Sequence, residues 1–358
     1  MREGFFKNFD WIILILVLLI SSYSLLLIFS VSVGVRVAAD LFLKQAFFIL
    51  VGLLFYLLIT RIDYKNLKNF ALPLYVVFLG LLIFTFFLGA VTRGSIRWID
   101  FAGLRFSPSE FLKPALILVL ASVFSTARIR FKEVIIALAL FLPGAYLIFS
   151  QPDIGTLITL IFIFVSILFV AGINLRYFVS LALITLVSLP LLWNYLLPYQ
   201  KLRLTTFLNP GSDPTGAGYN LIQSVIAVGS GQLFGRGFGK GTQSHLAFLP
   251  EVHTDFIFST LSEDLGFLGA VLLLSLLLIL IFKIFTIAKN TTDSFGALIC
   301  IGAGALILFQ TFVNVGGNIG LLPITGITLP LFSYGGSSLI SIMITLGLVS
   351  SVAKRSKT

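Results

Sequence analysis

Asp255 is a carboxylate at a helix entrance, a setting from which it could act as a base. It lies in Glu251-Val-His253-Thr254-Asp255-Phe-Ile-Phe, where a polar segment passes into a long apolar run. A positioned carboxylate there can take a proton from a hydroxyl nucleophile. A local role competes with this, because Thr254 or Asp255 could N-cap the following helix. Glu110 and Lys113 form a second group: at i and i+3 they share a helix face and can pair. Ser107-Pro108-Ser109-Glu110 has the spacing of a capping box. Capping accounts for Glu110 but leaves Lys113, an ionisable residue one turn further into an apolar helix, which is costly unless paired or in a wet cavity. Arg97, Arg105 and Arg203 add cations that could hold an anionic leaving group. In Gln151-Pro152-Asp153-Ile154-Gly155-Thr156, Asp153 reads as the N-cap of the next helix.

Other patterns exclude chemistries. The run from Gly229 to Gln243 is rich in glycine, but Lys240 is followed by Gly241 rather than Ser or Thr, so the phosphate-loop spacing fails. It reads as a flexible, close-packed loop whose backbone could approach a polar head group. No G-x-S-x-G is present. Two histidines, His245 and His253, and one cysteine, Cys300, give no strong metal-ligand pattern; His253 reads as a polar neighbour in its loop. From Asn314 to Ser338 the chain breaks helical periodicity, which at membrane depth is tolerated only beside a cavity or inside protein.

The elements that must carry these residues are membrane spans. Of 358 residues, 58% are hydrophobic and only 11% charged, against about a quarter in soluble domains. The net charge of +10 sits in short clusters between apolar runs, which is a topology signal rather than a nucleic-acid footprint. Runs long enough to cross about 30 Å of hydrocarbon begin near Trp11, Leu41, Phe70, Pro108, Val134, Ile154, Tyr177, Asp255, Ser294 and Pro330. The expectation is an all-α integral membrane protein of about ten spans, a single polytopic domain over 1–358. Pro143 and Pro190 should kink their helices. A polar insertion over 198–254 falls between the seventh and eighth spans. With the N-terminus inside, Arg2, Lys7, Arg61, Lys65, Lys68, Arg128, Arg130, Lys132, Arg176, Lys283, Lys289, Lys354, Arg355 and Lys357 face the cytoplasm, as the positive-inside rule expects. Both termini are then cytoplasmic. Arg93, Arg97, Arg105, Lys201, Arg203, Arg236 and Lys240 lie outside against that rule, and an outer anionic ligand is the simplest reason for them. The segment from Gly94 to Lys113 mixes apolar and charged residues too finely for a span and reads as a re-entrant or interfacial piece.

Together these segments resemble the SEDS (shape, elongation, division, sporulation) family of cell-wall polymerases, and within it the elongation-type branch. The likeness covers nearly the whole chain. It rests on Arg97-Trp98 with Ser107-Pro-Ser-Glu110, Gln151-Pro-Asp-Ile-Gly-Thr156, Gly218-Tyr-Asn220 with Gln223-Ser224, and Gly241-Thr-Gln-Ser244 through Asp255-Phe-Ile-Phe. Asn318-Ile-Gly-Leu-Leu-Pro-Ile-Thr-Gly326 and Ser333-Tyr-Gly-Gly-Ser-Ser338 complete it. Val252 stands where Thr is more usual, and Asp264 where a second Glu is common.

The resemblance implies a peptidoglycan glycosyltransferase that joins lipid II units outside the bacterial cytoplasmic membrane and releases undecaprenyl diphosphate. It implies Asp255 as the essential carboxylate, Glu110 and Lys113 as a functional pair, and a class B penicillin-binding protein transpeptidase of the elongation machinery as partner. Trp98, Gln243, His253, Ser333 and Ser338 join Arg97, Arg105 and Arg203 as expected substrate-binding residues. The chemistry names no certain cofactor, and a divalent cation (Mg or Mn) could share the diphosphate charge. A single displacement would convert an α-linked donor to a β-linked product. Two rivals use the same features: a flippase for the lipid-linked sugar, and a scaffold whose polar loops dock partners.

Overall fold

We describe the fold from a computed structural model covering residues 9–34, 39–92, 95–101, 104–125, 131–173, 179, 194, 198–213, 216–246 and 248–356. The apolar runs form helices: α1 (Trp11–Gly34), α2 (Ala39–Arg61), α3 (Tyr64–Leu88), α4 (Pro108–Phe124), α5 (Phe131–Ser150) and α6 (Ile154–Val170). After the polar insertion come α10 (Ile257–Asn290), α11 (Ser294–Asn318) and α12 (Gly336–Ser356). Among the described residues seven of these, α1, α2, α3, α5, α10, α11 and α12, are long and apolar enough to cross a membrane. With 17 residues each, α4 and α6 are shorter, about 25 Å at 1.5 Å per residue. All of the span expected from Tyr177, Pro190 included, except residues 179 and 194, lies outside the described residues, as do Arg2, Lys7, Arg93, Arg128, Arg130, Arg176 and Lys357.

Two starts differ from the expected ones. α3 begins at Tyr64 rather than near Phe70, because Asp63 caps it by accepting from the Lys65 amide at 3.0 Å. α12 begins at Gly336, not Pro330, because residues 330–334 form a turn with Leu331 at φ 61°. α12 is the buried centre of the bundle and packs against α2, α4 and α11, with Tyr56 Oη 2.7 Å from Ser350 Oγ. By contrast α1, α2 and α3 expose Leu26, Leu43, Leu50 and Phe70, as lipid-facing helices do.

The segment before α4 is not helical. It forms a small antiparallel meander of β1 (Ala90–Thr92), β2 (Ser95–Phe101) and β3 (Leu104–Phe106), with Asp100 opposite Arg105. Short stretches rich in β-branched and aromatic residues suit such strands, and they correct the all-α expectation locally.

The insertion is structured: α7 (Pro198–Leu208), a 3-10 turn (Pro210–Ser212), α8 (Ala217–Ser230) and a single helical turn, α9 (Thr242–His245). Its glycine-rich part repairs a break in α10. At Gly266 (φ 67°, ψ −163°) the helix is interrupted, a conformation open mainly to glycine. The loop supplies the missing partners. Arg236 and Gly237 donate their amides to the carbonyls of Glu263 and Asp264, at 2.9 and 3.0 Å, and the amides of Phe267 and Leu268 donate to Gln232 and Leu233, at 2.8 and 3.2 Å. Unpaired backbone groups inside a bundle are expensive, so loop and helix break require each other.

Candidate active site

Asp255 lies in the turn 251–256 that leads into α10. Neither Asp255 nor Thr254 occupies the N-cap position of that helix. Phe256 holds the N-cap position without a side-chain bond. The amide of Ser259 is met instead from α11, where Asn318 Oδ1 accepts from Ser259 N at 3.2 Å and Ser259 Oγ at 2.6 Å. The main chain around Asp255 is tied down residue by residue. The His253 carbonyl accepts from Tyr334 N at 2.8 Å, and the Thr254 carbonyl accepts from Ser333 Oγ at 2.8 Å. The Asp255 carbonyl accepts from Asn318 Nδ2 at 2.9 Å and Asn314 Nδ2 at 3.2 Å. Gly326, at φ 75°, is so near that a Cβ there would stand 3.7 Å from Asp255 Oδ2.

Asp255 opens on a cavity of about 450 Å³ whose lining includes Arg97, Trp98, Glu110, Lys113, Arg203 and Ser338. Lys113 is buried in α4 with Nζ 2.7 Å from Glu110 Oε1. Glu110 therefore serves the lysine and not a capping box. The Ser107 amide that a box would offer it donates instead to Ser337 Oγ of α12, at 3.0 Å. Arg97, on β2, spreads its guanidinium over the turn before α6. It donates to the carbonyls of Gln151, at 3.1 Å, and Pro152, and stands 3.5 Å from Asp153 Oδ1. Asp153 also caps α6 as expected, accepting from the Thr156 amide at 3.2 Å. Arg203, exposed on α7, donates to the Ile324 carbonyl at 3.3 Å. Ser338 Oγ is 2.7 Å from Thr328 Oγ1.

Four expected site residues do not line the cavity. Arg105 is exposed on β3. Gln243 lies on α9, where its amide donates to Glu263 Oε1 at 2.9 Å. Glu263 is fully buried and also accepts from Ser244 N and Oγ, at 2.9 and 2.7 Å. Beside it His245 Nε2 meets Asp264 at 3.1 Å, and Ser30 Oγ donates to Asp264 at 2.6 Å. These carboxylates anchor the loop that precedes α10. His253 sits edge-on to Tyr334, ring centres 5.3 Å apart, and Ser333 spends its hydroxyl on the Thr254 carbonyl. Both support Asp255 from behind.

Sequence reasoning missed Tyr334, Glu251, Thr254, Gln200, Gln310 and Gly326 as cavity lining. Only the glycine carried a usable signal, standing alone amid β-branched residues where the chain needs a positive φ. Burial, the largest influence on Tyr334, pushes its phenol above the ordinary tyrosine value. Among the described residues no cluster of three or more His, Cys, Asp or Glu side chains is placed to hold a metal ion. The arrangement joins a carboxylate able to accept a proton to a buried ammonium and exposed guanidinium able to meet an anion. That combination suits displacement of an acidic leaving group by a hydroxyl.

Comparison with known proteins agrees with this chemistry. Residues 10–358 match the FtsW/RodA/SpoVE family, described as "Cell cycle protein". The peptidoglycan glycosyltransferase MrdB of Escherichia coli K12 is 39% identical over 307 residues, covering 85% of this chain and 83% of that protein. The crystal structure of the rod shape determining protein RodA of Thermus thermophilus superposes with a TM-score of 0.74 at 30% identity, covering 98% of both chains. A structure concerned with the coordination of polymerization and crosslinking by a peptidoglycan synthase complex gives a TM-score of 0.83 at 31% identity, over 97% of this chain and 98% of that one. With the family matched over almost its whole length, this chain belongs to the FtsW/RodA/SpoVE, or SEDS, family.

Proposed function

We propose that the chain is a peptidoglycan glycosyltransferase that polymerises lipid II into glycan strands during cell elongation. The observation that carries this is the placing of Asp255 and the Lys113–Glu110 pair on one cavity, supported by membership of a family whose relatives include a peptidoglycan glycosyltransferase. The acceptor C4 hydroxyl attacks the donor anomeric carbon while Asp255 takes its proton. The bond to the diphosphate breaks, and undecaprenyl diphosphate leaves with its charge held by Lys113 and Arg203. One displacement inverts the anomeric centre, so an α-linked donor gives a β-linked strand. Trp98 and Ser338 line the space where the sugars would lie. A divalent cation, if one takes part, would be held largely by the substrate phosphates, with one carboxylate of the cavity completing its shell.

The lipid tail calls for a site at a membrane surface, and we assign it to the outer face of the cytoplasmic membrane with both termini inside, an orientation supported by the distribution of Lys and Arg. The partner that fits is a class B penicillin-binding protein that cross-links the strands as they form. The test is polymerisation of lipid II by the purified chain in detergent, with and without that partner, where no compartments exist. Glycan strands that vanish with Asp255→Asn are expected; a flippase would make none. Strand growth by Asp255→Asn at the wild-type rate would remove Asp255 as the base.

A further inference from the structure

The Asp255 carbonyl is gripped by two side-chain amides of one helix, Asn318 at 2.9 Å and Asn314 at 3.2 Å. Both are buried near the end of α11, and each grips a second element. Asn318 Oδ1 takes the place of the missing N-cap of α10 at Ser259. Asn314 Nδ2 also donates to the Ile327 carbonyl at 2.8 Å, next to Gly326, which faces the Asp255 carboxylate. The clamp is itself braced, since Ser224 Oγ on α8 donates to the Asn318 carbonyl at 2.9 Å and lies 2.7 Å from Ser259 Oγ. Two primary amides buried in a membrane bundle are costly unless matched with partners. Here the matching partners are the backbone of Asp255 and its two flanking elements. Neither asparagine lines the substrate cavity.

We propose that Asn318, seconded by Asn314, is a positioning residue for the glycosyl transfer, fixing the Asp255 main chain so that its carboxylate meets the acceptor hydroxyl. The proposal rests on Asp255 being the base. A side chain in a turn points where its backbone points, and a displacement of about 1 Å at a reacting group can cost roughly 100-fold in rate. Because the asparagines lie outside the cavity of about 450 Å³ and share with Asp255 only an adjoining space of about 10 Å³, too small for a sugar, their loss should fall on kcat and leave KM in place.

Asn318→Asp separates the acceptor side of this residue, at Ser259, from its donor side, where Nδ2 serves the Asp255 carbonyl at 2.9 Å and the Asn314 carbonyl at 2.8 Å. It keeps an acceptor for Ser259 but turns an oxygen toward the Asp255 carbonyl, so the cap survives and the clamp is lost. With full-length protein and lipid II in detergent, kcat should fall by about tenfold or more with KM within about twofold. In an Asp255→Glu background, where the base is already displaced, the same change should cost less than about threefold. A wild-type kcat for Asn318→Asp overturns the proposal. So does an equal loss in both backgrounds, which would make Asn318 merely structural. Asp255→Asn is measured alongside. If it polymerises normally, the base assignment fails and the clamp with it; if it is inactive while Asn318→Asp is normal, only the clamp fails. Should Asn318→Asp not fold, Asn314→Asp leaves the Ser259 cap untouched and should lower kcat about threefold at constant KM; no change in kcat overturns the proposal.

Discussion

Lys113 Nζ lies 2.7 Å from Glu110 Oε1, with the lysine side chain 2% and the glutamate side chain 15% exposed. Removing one member of so buried a pair strands the other charge, at a cost of about 3–5 kcal/mol, whereas replacing both is often close to neutral. Lys113→Met should therefore lower the thermal stability of the purified protein markedly, and Glu110→Gln with Lys113→Met should recover most of it. Lipid II polymerisation should stay low in both, because the cavity has lost its buried cation. Activity restored along with stability in the double variant would make the pair a staple and nothing more.

Gly326 holds φ 75° with its absent Cβ pointing 3.7 Å from Asp255 Oδ2. An alanine there would cost about 1–2 kcal/mol in a left-handed conformation and would remove water from one side of the carboxylate. Gly326→Ala should lower kcat by about tenfold with a smaller change in KM, since strain relaxes by moving backbone that faces the base. Initial rates against lipid II concentration separate the two parameters, and a pure KM effect would place Gly326 in substrate binding.

Where the information is local, it was legible. α1, α4, α6 and α11 start where the apolar runs start, at Trp11, Pro108, Ile154 and Ser294, because lipid imposes a minimum length that sequence cannot hide. The Asp153 cap and the Glu110–Lys113 pair span three residues each and were equally visible. The misreadings came from partners far away in sequence. Ser107 looks like the start of a capping box until Ser337 takes its amide. Asp255 looks like a cap until Asn318 of the next helix reaches Ser259. In the glycine-rich loop, composition gave the permissive backbone but could not say that the surface it approaches is α10 itself. The cationic cluster stood out as expected exceptions to the positive-inside rule, yet its members divide, with Arg97 engaged by the Gln151–Asp153 turn and Arg105 away from the cavity.

Glu263 is fully buried and accepts from the amides of Gln243 and Ser244, both at 2.9 Å, and from Ser244 Oγ at 2.7 Å. Glutamine in its place turns an NH₂ group toward donors, leaving at least one of them unmatched, which costs about 1–3 kcal/mol. Glu263→Gln should lower the melting temperature and open the 229–246 segment to limited proteolysis. Because Glu263 does not line the cavity, the protein that remains folded should bind lipid II with an unchanged KM. A raised KM at normal stability would instead tie the 229–246 loop to substrate.

Arg97 and Arg203 both line the cavity, but their surroundings predict opposite responses to lysine. Arg97 uses its fork on the Gln151 and Pro152 carbonyls and lies 3.5 Å from Asp153. A lysine carries one compact charge and cannot bridge three acceptors spread along a turn. Arg97→Lys should therefore resemble Arg97→Ala, with reduced stability and activity together, as β2 separates from the start of α6. Arg203 is exposed on α7 and makes a longer 3.3 Å bond to Ile324. If its service is to meet diphosphate charge, a point charge suffices, so Arg203→Lys should keep activity within about threefold while Arg203→Ala raises KM. Melting temperatures and KM for the four variants decide the matter: a stable, active Arg97→Lys would return Arg97 to the anion site, and a destabilised Arg203→Lys would make Arg203 a brace for the loop that carries Gly326.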